Sequence, residues 1–238
     1  MELITVLVTG ASRGIGLALT RELLSQGHTV FAACRKPSAA KELRDLEAKH
    51  KGLFSIVKLD VDSDSSVNEA AAAVAEKGAA LDVLVNNAAI FPEEGNESIL
   101  EIDLAHFRAA FETNVLGVIR VTRAFLPLLE KGKNPRVVNI SSGAGSISGK
   151  DDSAYYAYST SKAALNMVTR AMAAEFKPYK IAVVAVSPGW VKTEMGGTNA
   201  PLTPEESARS LAKTITKLSL KETSRFLDRD GDGHEYDW

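Results

Sequence analysis

A tyrosine and a lysine at i and i+4, Tyr158 and Lys162, stand in the segment Tyr155-Tyr156-Ala157-Tyr158-Ser159-Thr160-Ser161-Lys162-Ala163-Ala164-Leu165. The Ala- and Leu-rich run that continues to Phe176 carries a helical pattern. On such a helix the phenol and the ammonium project from one face, a single turn apart. A phenol with a pKa of about 10 exchanges protons poorly at neutral pH, and a fixed cation beside it is expected to favour the phenolate. That is the adjustment a general acid or base needs. A Tyr-x-x-x-Lys pair alone is more often surface decoration; its weight here comes from the other motifs in the chain.

Thr9-Gly10-Ala11-Ser12-Arg13-Gly14-Ile15-Gly16 lies between a strand-like and a helix-like segment. Glycines there permit a tight turn and close backbone approach, and a helix N-terminus offers unpaired N–H groups and positive potential to a pyrophosphate. The spacing, Gly-x-x-x-Gly-x-Gly, is one residue longer than the usual dinucleotide fingerprint. The same residues also spell Gly-x-Ser-x-Gly, the nucleophile elbow of serine hydrolases, with Ser12 as nucleophile and His234 late in the chain. Only one strand precedes Ser12, and the hydrolase reading leaves Gly16 and the Tyr/Lys pair without a role, so nucleotide binding is favoured.

The end of the second strand indicates which nucleotide. An NAD site places an acidic residue about 20 positions past the glycines, to bond the adenosine ribose. Here Cys34 occupies that place, followed by Arg35 and Lys36, with Arg13 in the loop. Cations without a carboxylate suit a 2′-phosphate, so the sequence predicts NADP(H).

The elements that must hold these groups alternate throughout. Strands are predicted at Leu3–Thr9, Thr29–Cys34, Leu53–Leu59, Leu81–Asn86, Arg136–Ser141, Lys180–Ser187 and Arg225–Leu227. Helices are predicted at Gly14–Gln26, Pro37–His50, Ser65–Lys77, Leu104–Glu130, the Tyr/Lys segment and Pro204–Lys217. The strands are continuous apolar runs, which implies cover on both sheet faces. The expectation is an α/β fold: one doubly wound, Rossmann-type parallel sheet of about seven strands in a single domain.

With 238 residues, 45% of them hydrophobic, and a net charge of −2, the composition is that of an ordinary globular protein. No basic block or basic amphipathic helix suggests a nucleic acid or a membrane partner. The longest apolar runs, such as Ile181 to Val186, are far too short to span a bilayer. A single cysteine, Cys34, excludes an internal disulfide and suits a reducing compartment, and the chain is expected to be cytoplasmic. The four histidines show no metal-ligand spacing, and no metal is predicted.

With the glycine loop and Tyr158-x-x-x-Lys162 in place, the sequence resembles the short-chain dehydrogenase/reductase family from Thr5 to about Thr193. Asn86-Asn87-Ala88-Ala89 is similar to that family's Asn-Asn-Ala-Gly, with Ala89 in place of glycine. Asn114 in Thr113-Asn114-Val115 matches its catalytic asparagine, and Ser142, closing Asn139-Ile140-Ser141-Ser142, its substrate-binding serine. Pro188-Gly189-Trp190-Val191-Lys192-Thr193 resembles the segment that holds the nicotinamide carboxamide, through Pro188, Gly189, Val191 and Thr193.

The resemblance implies a mechanism. Tyr158 exchanges a proton with the substrate oxygen, Ser142 donates to that oxygen, Lys162 holds the nicotinamide ribose and depresses the tyrosine pKa, and Asn114 organises water. Asp60 and Val61 would meet adenine; Asn86 and Ala88 would meet the cofactor backbone. Gly10, Ser12, Arg13, Gly14, Ile15 and Gly16 would form the pyrophosphate loop. The implied function is carbonyl reduction, reversible as alcohol oxidation, with NADP(H).

The interval from Ser142 to Tyr158 is longer than is common in the family, and resembles its sniffer and C-factor branch of carbonyl-reductase-like members. Tyr155 sits at the commoner distance, but its i+4 residue is Ser159, so it is expected to border the substrate pocket with Phe91 and Trp190. The segment after Thr193 is brief, which favours small to medium aldehydes and ketones. A non-catalytic NADP(H)-sensing module would be expected to have lost the tyrosine, lysine or serine, and all three are present. Small residues along the Tyr/Lys helix (Ala163, Ala164, Ala171, Ala173, Ala174) suit a homodimer or homotetramer, or packing inside a monomer. Asp228-Arg229-Asp230-Gly231-Asp232-Gly233 fits half of a calcium loop, but the position for its bidentate Glu would fall beyond Trp238. It is read as a hairpin turn leading to an aromatic anchor.

Overall fold

The structure, a computed structural model, describes residues 2–93, 98–231 and 235–238. Its strands and helices alternate: β1 Thr5–Thr9, α1 Gly14–Ser25, β2 Thr29–Cys34, α2 Lys41–Lys49, β3 Phe54–Lys58, α3 Asp64–Glu76, β4 Val83–Asn86 and α4 Leu104–Phe111. They continue with α5 Gly117–Leu129, β5 Arg136–Ile140, α6 Tyr156–Glu175, β6 Ala182–Ser187, α7 Pro204–Lys217 and β7 Phe226–Asp228. All seven strands join one sheet in the order β3-β2-β1-β4-β5-β6-β7, and every pair is parallel. This is the predicted doubly wound sheet.

Alternate residues of each strand enter two separate cores, because successive Cβ atoms point to opposite faces. Val6, Val8, Val30, Val85, Val138 and Val184 pack beneath α1 and α7. Leu7, Phe31, Leu84, Val137 and Val183 pack against α3, α5 and α6. Both faces are covered, which is why the strands lack a polar alternate position.

Chain order reverses between β1 and β4, and the crevice at the carboxyl ends of those strands is where such sheets take ligands. The loops after β1, β4, β5 and β6 converge on it.

Two predicted helices are interrupted. The segment from Pro37 opens with a 3-10 turn, Pro37–Ala39, before α2. The long helix expected over Leu104–Glu130 is split by a π-helical turn, Glu112–Leu116, which inserts one residue into the α-helical ladder. Asn114 lies in that turn.

Candidate active site

The glycine loop is shaped by contact with the turn after β4. Gly10 has φ +65°, and a Cβ there would stand 2.8 Å from Ala88 Cα. A Cβ on Gly16 would stand 2.5 Å from both Asn87 Nδ2 and the Gly10 carbonyl oxygen. Asn87 donates from Nδ2 to the carbonyls of Thr9 (2.8 Å) and Gly10 (3.3 Å). Thr9 Oγ1 in turn accepts from the backbone N–H groups of Asn87 and Ala88, both at 3.0 Å. Helix α1 begins after Arg13 with no side-chain cap and no acidic residue in its first turn. Its leading N–H groups, around Gly14, Ile15 and Gly16, thus face the crevice as an anion site. Ser12 is half-buried in this loop; His234, its suggested partner in a hydrolase, lies outside the described residues.

Arg35 and Lys36 are exposed just past β2, at the same edge of the sheet, and among the described residues neither forms an ion pair. Arg13 pairs instead with Glu194 across the mouth of the crevice, both side chains being largely exposed. Beyond β3, Asp60 accepts from the Asp62 N–H at 3.2 Å and Val61 is buried. Asn86 turns its side chain inward, donating to Thr122 Oγ1 (3.1 Å) and Asn139 Oδ1 (2.9 Å). Only its backbone is left for the role the resemblance implied.

The four residues expected to do the chemistry come from β5, α6 and the π-turn. Ser142 follows β5 and caps a 3-10 turn, Gly143–Gly145, by accepting from the Ala144 N–H. Its hydroxyl is close enough to the Tyr158 phenol to favour the phenolate. Lys162 is 2% exposed and donates from Nζ to the Ile140 carbonyl at 2.8 Å. Asn114 is held on both sides of its amide: Oδ1 accepts from the Ile90 N–H (2.9 Å), and Nδ2 donates to the Ile90 carbonyl (3.0 Å) and Ser161 Oγ (3.0 Å).

The electrostatics differ from the expectation that the lysine would hold the phenol ionisable. Tyr158 is half-buried, and desolvation pushes its pKa up to about 12; the neighbouring Ser142 hydroxyl works in the opposite direction. Burial also lowers Lys162 to about 7. The reason for the difference is that both groups lose their solvent, so each shifts toward its neutral form, and helical spacing conveys nothing about burial.

Phe91 lies between two tyrosines, its ring centroid 5.0 Å from those of both Tyr155 and Tyr158. Trp190 is not part of this group: it is 58% exposed and donates from Nε1 to the Gly196 carbonyl. On the far side of the crevice, Ser207 Oγ donates to the Pro188 carbonyl at 2.7 Å, Gly189 has φ +79°, and Val191 is buried. Thr193 Oγ1 accepts from the Gly196 N–H, and its methyl group would stand 3.3 Å from a Cβ on Gly14. The Pro188–Thr193 segment and the glycine loop are therefore the two lips of one crevice. A separate groove of about 590 Å3, lined by Thr5, Thr29, Lys51 and Lys77 among others, opens at the opposite end of the strands.

The end of the chain folds back on this site. Among its described residues, Tyr236 stacks on Phe226 (4.8 Å between centroids) and Trp238 lies under the Arg170 guanidinium at 5.2 Å. Ser146 Oγ donates to the Asp237 carbonyl at 2.6 Å, tying the tail to the turn that Ser142 caps. The aromatic anchor matches expectation; Asp232 and Gly233 of the supposed calcium half-loop lie outside the described residues. Two functional neighbours escaped the sequence reading. Asn87 was overshadowed by Asn86, although it is the residue that closes the glycine loop, and Ser161, which bridges Asn114 and the Tyr158 carbonyl (2.7 Å), had no motif to mark it.

Known proteins similar to this chain share its fold. The family model for short chain dehydrogenases matches residues 4–202. An NADPH-dependent pterin aldehyde reductase of Arabidopsis thaliana is 38% identical over 192 residues, covering 80% of this chain and 76% of its own. Among solved structures, the NADPH-bound carbonyl reductase from chicken fatty liver superposes with a TM-score of 0.92 at 37% identity. Carbonyl reductase Sniffer of D. melanogaster gives 0.93 at 34%; in both comparisons all of both chains is covered. The chain belongs to the short-chain dehydrogenase family.

Proposed function

We propose that this protein is an NADPH-dependent carbonyl reductase acting on small to medium aldehydes and ketones. The observation that carries the reading is the grouping of Tyr158, Ser142 and Lys162, with Lys162 Nζ 5.6 Å from the Tyr158 ring, at the carboxyl edge of the sheet beside a dinucleotide-type crevice. The NADPH-bound state of the chicken enzyme and the aldehyde-reductase activity named for the plant relative support the cofactor and reaction type.

The residues present fit NADP(H). The uncapped start of α1 suits the pyrophosphate, and Arg35 and Lys36 suit the 2′-phosphate. Asp60 and Val61 would border adenine, and the backbone of Pro188–Thr193 would border the nicotinamide. When bound, NADPH supplies the hydride.

The chain's own work is to position the carbonyl and manage one proton. Ser142 donates to the substrate oxygen and fixes its distance from Tyr158. As negative charge develops on that oxygen, Tyr158 gives it the phenolic proton. A phenol with a pKa of about 12 is already in the protonated form this direction requires. Lys162 would hold the cofactor ribose and, in its protonated form, supply positive charge beside the phenolate that is left. Asn114 anchors the loop after β4 and, at the π-turn, the path along which the proton is replaced. Phe91 and Tyr155 form an aromatic wall of the substrate pocket. Ser12 belongs to the nucleotide loop, not to a hydrolase triad.

Along α6, Ala171, Ala174 and the 69%-exposed Met167 present small and apolar surface that suits a second copy, and the reading includes a homodimer or homotetramer. No helix among the described residues is long and apolar enough to cross a membrane, consistent with work in the cytoplasm. NADPH and NADH consumption against a panel of aldehydes, ketones and diones tests the activity. Tyr158→Phe should lower kcat by about 10²–10⁴-fold while NADPH still binds. A Tyr158→Phe enzyme with undiminished kcat would overturn the mechanism.

A further inference from the structure

Glu93 is a carboxylate that is only 5% exposed, in the loop after β4, and the mechanism above gives it no task. Its Oε1 accepts from the Ala157 N–H at 2.8 Å and its Oε2 from the Tyr158 N–H at 2.9 Å. These are the second and third residues of α6, whose amides have no partner within the helix and are normally held by the residue just before it. In this helix that residue is Tyr155, which has a left-handed backbone (φ 59°, ψ 54°) and makes no side-chain cap. Among the described residues no lysine or arginine forms an ion pair with Glu93, so its charge is met by the positive end of α6.

We propose that Glu93 is a positioning residue that sets the orientation of Tyr158. This rests on the reading of Tyr158 as proton donor. Glu93 holds the Tyr158 N–H from outside the helix, while Ser161 Oγ, three residues on in α6, donates to the Tyr158 carbonyl at 2.7 Å, so side chains hold both backbone polar groups of that residue. The loop that carries Glu93 is pinned at its other end, where Asn114 bonds both the N–H and the carbonyl of Ile90. Between those two anchors it sets Phe91 against the Tyr158 ring. Asn114 also donates to Ser161, which closes the circuit: the π-turn, the loop and the start of α6 constrain one phenol together. A carboxylate whose only purpose was helix stability could sit on any helix; this one grips the amide of the reacting residue itself.

The test compares Glu93→Ala and Glu93→Gln with Ser219→Ala, which removes a hydroxyl cap from the short turn Leu220–Glu222 far from the crevice. Hydrogen exchange at the Ala157 and Tyr158 amides should rise by about an order of magnitude or more in Glu93→Ala, with Met172 and Ala173 at the other end of α6 unchanged. In that variant kcat should fall about 10²-fold while the NADPH Kd stays within about twofold. Glu93→Gln keeps its volume and one acceptor, and should recover a large part of the lost kcat. It also carries the test should the alanine variant fail to fold. Ser219→Ala should lower the thermal midpoint with kcat unchanged. The proposal is overturned by unchanged exchange at Ala157 and Tyr158. It is equally overturned if kcat and NADPH affinity fall together in step with the thermal midpoint. Failure of the wild type to reduce any carbonyl would instead count against the reductase reading, because the exchange measurement needs no substrate.

Discussion

Lys162 Nζ stands 5.6 Å from the centroid of the Tyr158 ring and spends its hydrogen bond on the Ile140 carbonyl, so a buried ammonium and a half-buried phenol sit together, each shifted toward neutrality. Stability should follow. The native lysine releases its proton near pH 7, the unfolded chain only near 10.5, so the unfolded state binds more protons between those values and stability rises with pH across that window. Tyr158 acts oppositely at higher pH: the native phenol keeps its proton to about 12, the unfolded one to 10.0, and stability falls over that interval. Urea midpoints of wild type and Lys162→Met should therefore diverge as pH is raised from about 7 to 9, the wild type gaining relative to the variant. Parallel midpoints would mean that the lysine keeps its proton in the fold.

Cofactor preference should respond to Arg35. Arg35→Asp is expected to weaken NADPH by about 10–100-fold, the worth of one charge-assisted hydrogen bond, and NADH far less. Glu194→Gln, which frees Arg13, should tighten NADPH by less than about fivefold, since an exposed pair is weak. Titration of each variant with both nucleotides decides. Equal losses for Arg35→Asp would assign that residue to the fold alone.

Gly10 and Gly78 offer a controlled comparison. Both have positive φ, +65° and +69°, but a Cβ on Gly10 would meet Ala88 at 2.8 Å whereas one on Gly78 would meet nothing within 4 Å. Gly78→Ala should cost about 1 kcal/mol for backbone strain, and Gly10→Ala clearly more, together with nucleotide affinity. Equal denaturation midpoints for the two variants would show that the contact with Ala88 relaxes.

Tyr236→Ala removes a ring that stacks on Phe226 and would stand 3.0 Å from a Cβ on Gly143. It should destabilise the protein by about 1 kcal/mol and lower kcat more than it alters the NADPH Kd, because the turn it covers is the one Ser142 caps. Steady-state kinetics beside nucleotide titration checks this. A loss confined to NADPH affinity would place the tail's influence elsewhere.

Much of this architecture was legible from sequence. β2 and α7 fall on their predicted residues, the first because Thr-Val-Phe opens an apolar run bounded by Gly27 on one side and Pro37 on the other. The second is delimited by Thr203, Pro204 and Glu206, which form a capping box with proline at the first turn. Tyr158 and Lys162 are legible in their i, i+4 spacing, Ser142 and Asn114 through the resemblance to family motifs, and the structure brings all four to the carboxyl edge of one sheet. What spacing could not convey is direction and enclosure. Asn86 sits where expected but aims its amide at Thr122 and Asn139, Trp190 stays apart from Phe91, and the Tyr158–Lys162 balance is set by burial. Glu93 had no local signal, since its partners lie 64 and 65 positions away. The break in the long helix was hidden because both flanking segments read as helix and Glu112–Leu116 contains neither proline nor glycine to mark an interruption.

That break gives the protein a peculiar fragility. Each residue of an α-helix turns the chain by about 100°, so deleting one position between Glu112 and Leu116 would yield a straighter, more regular rod. The same deletion would swing Asn114 around the axis relative to α5, away from Ile90 and Ser161. Here the irregular backbone is the one that keeps the amide on target, and a repair made in the name of helical perfection would undo the placement of Asn114.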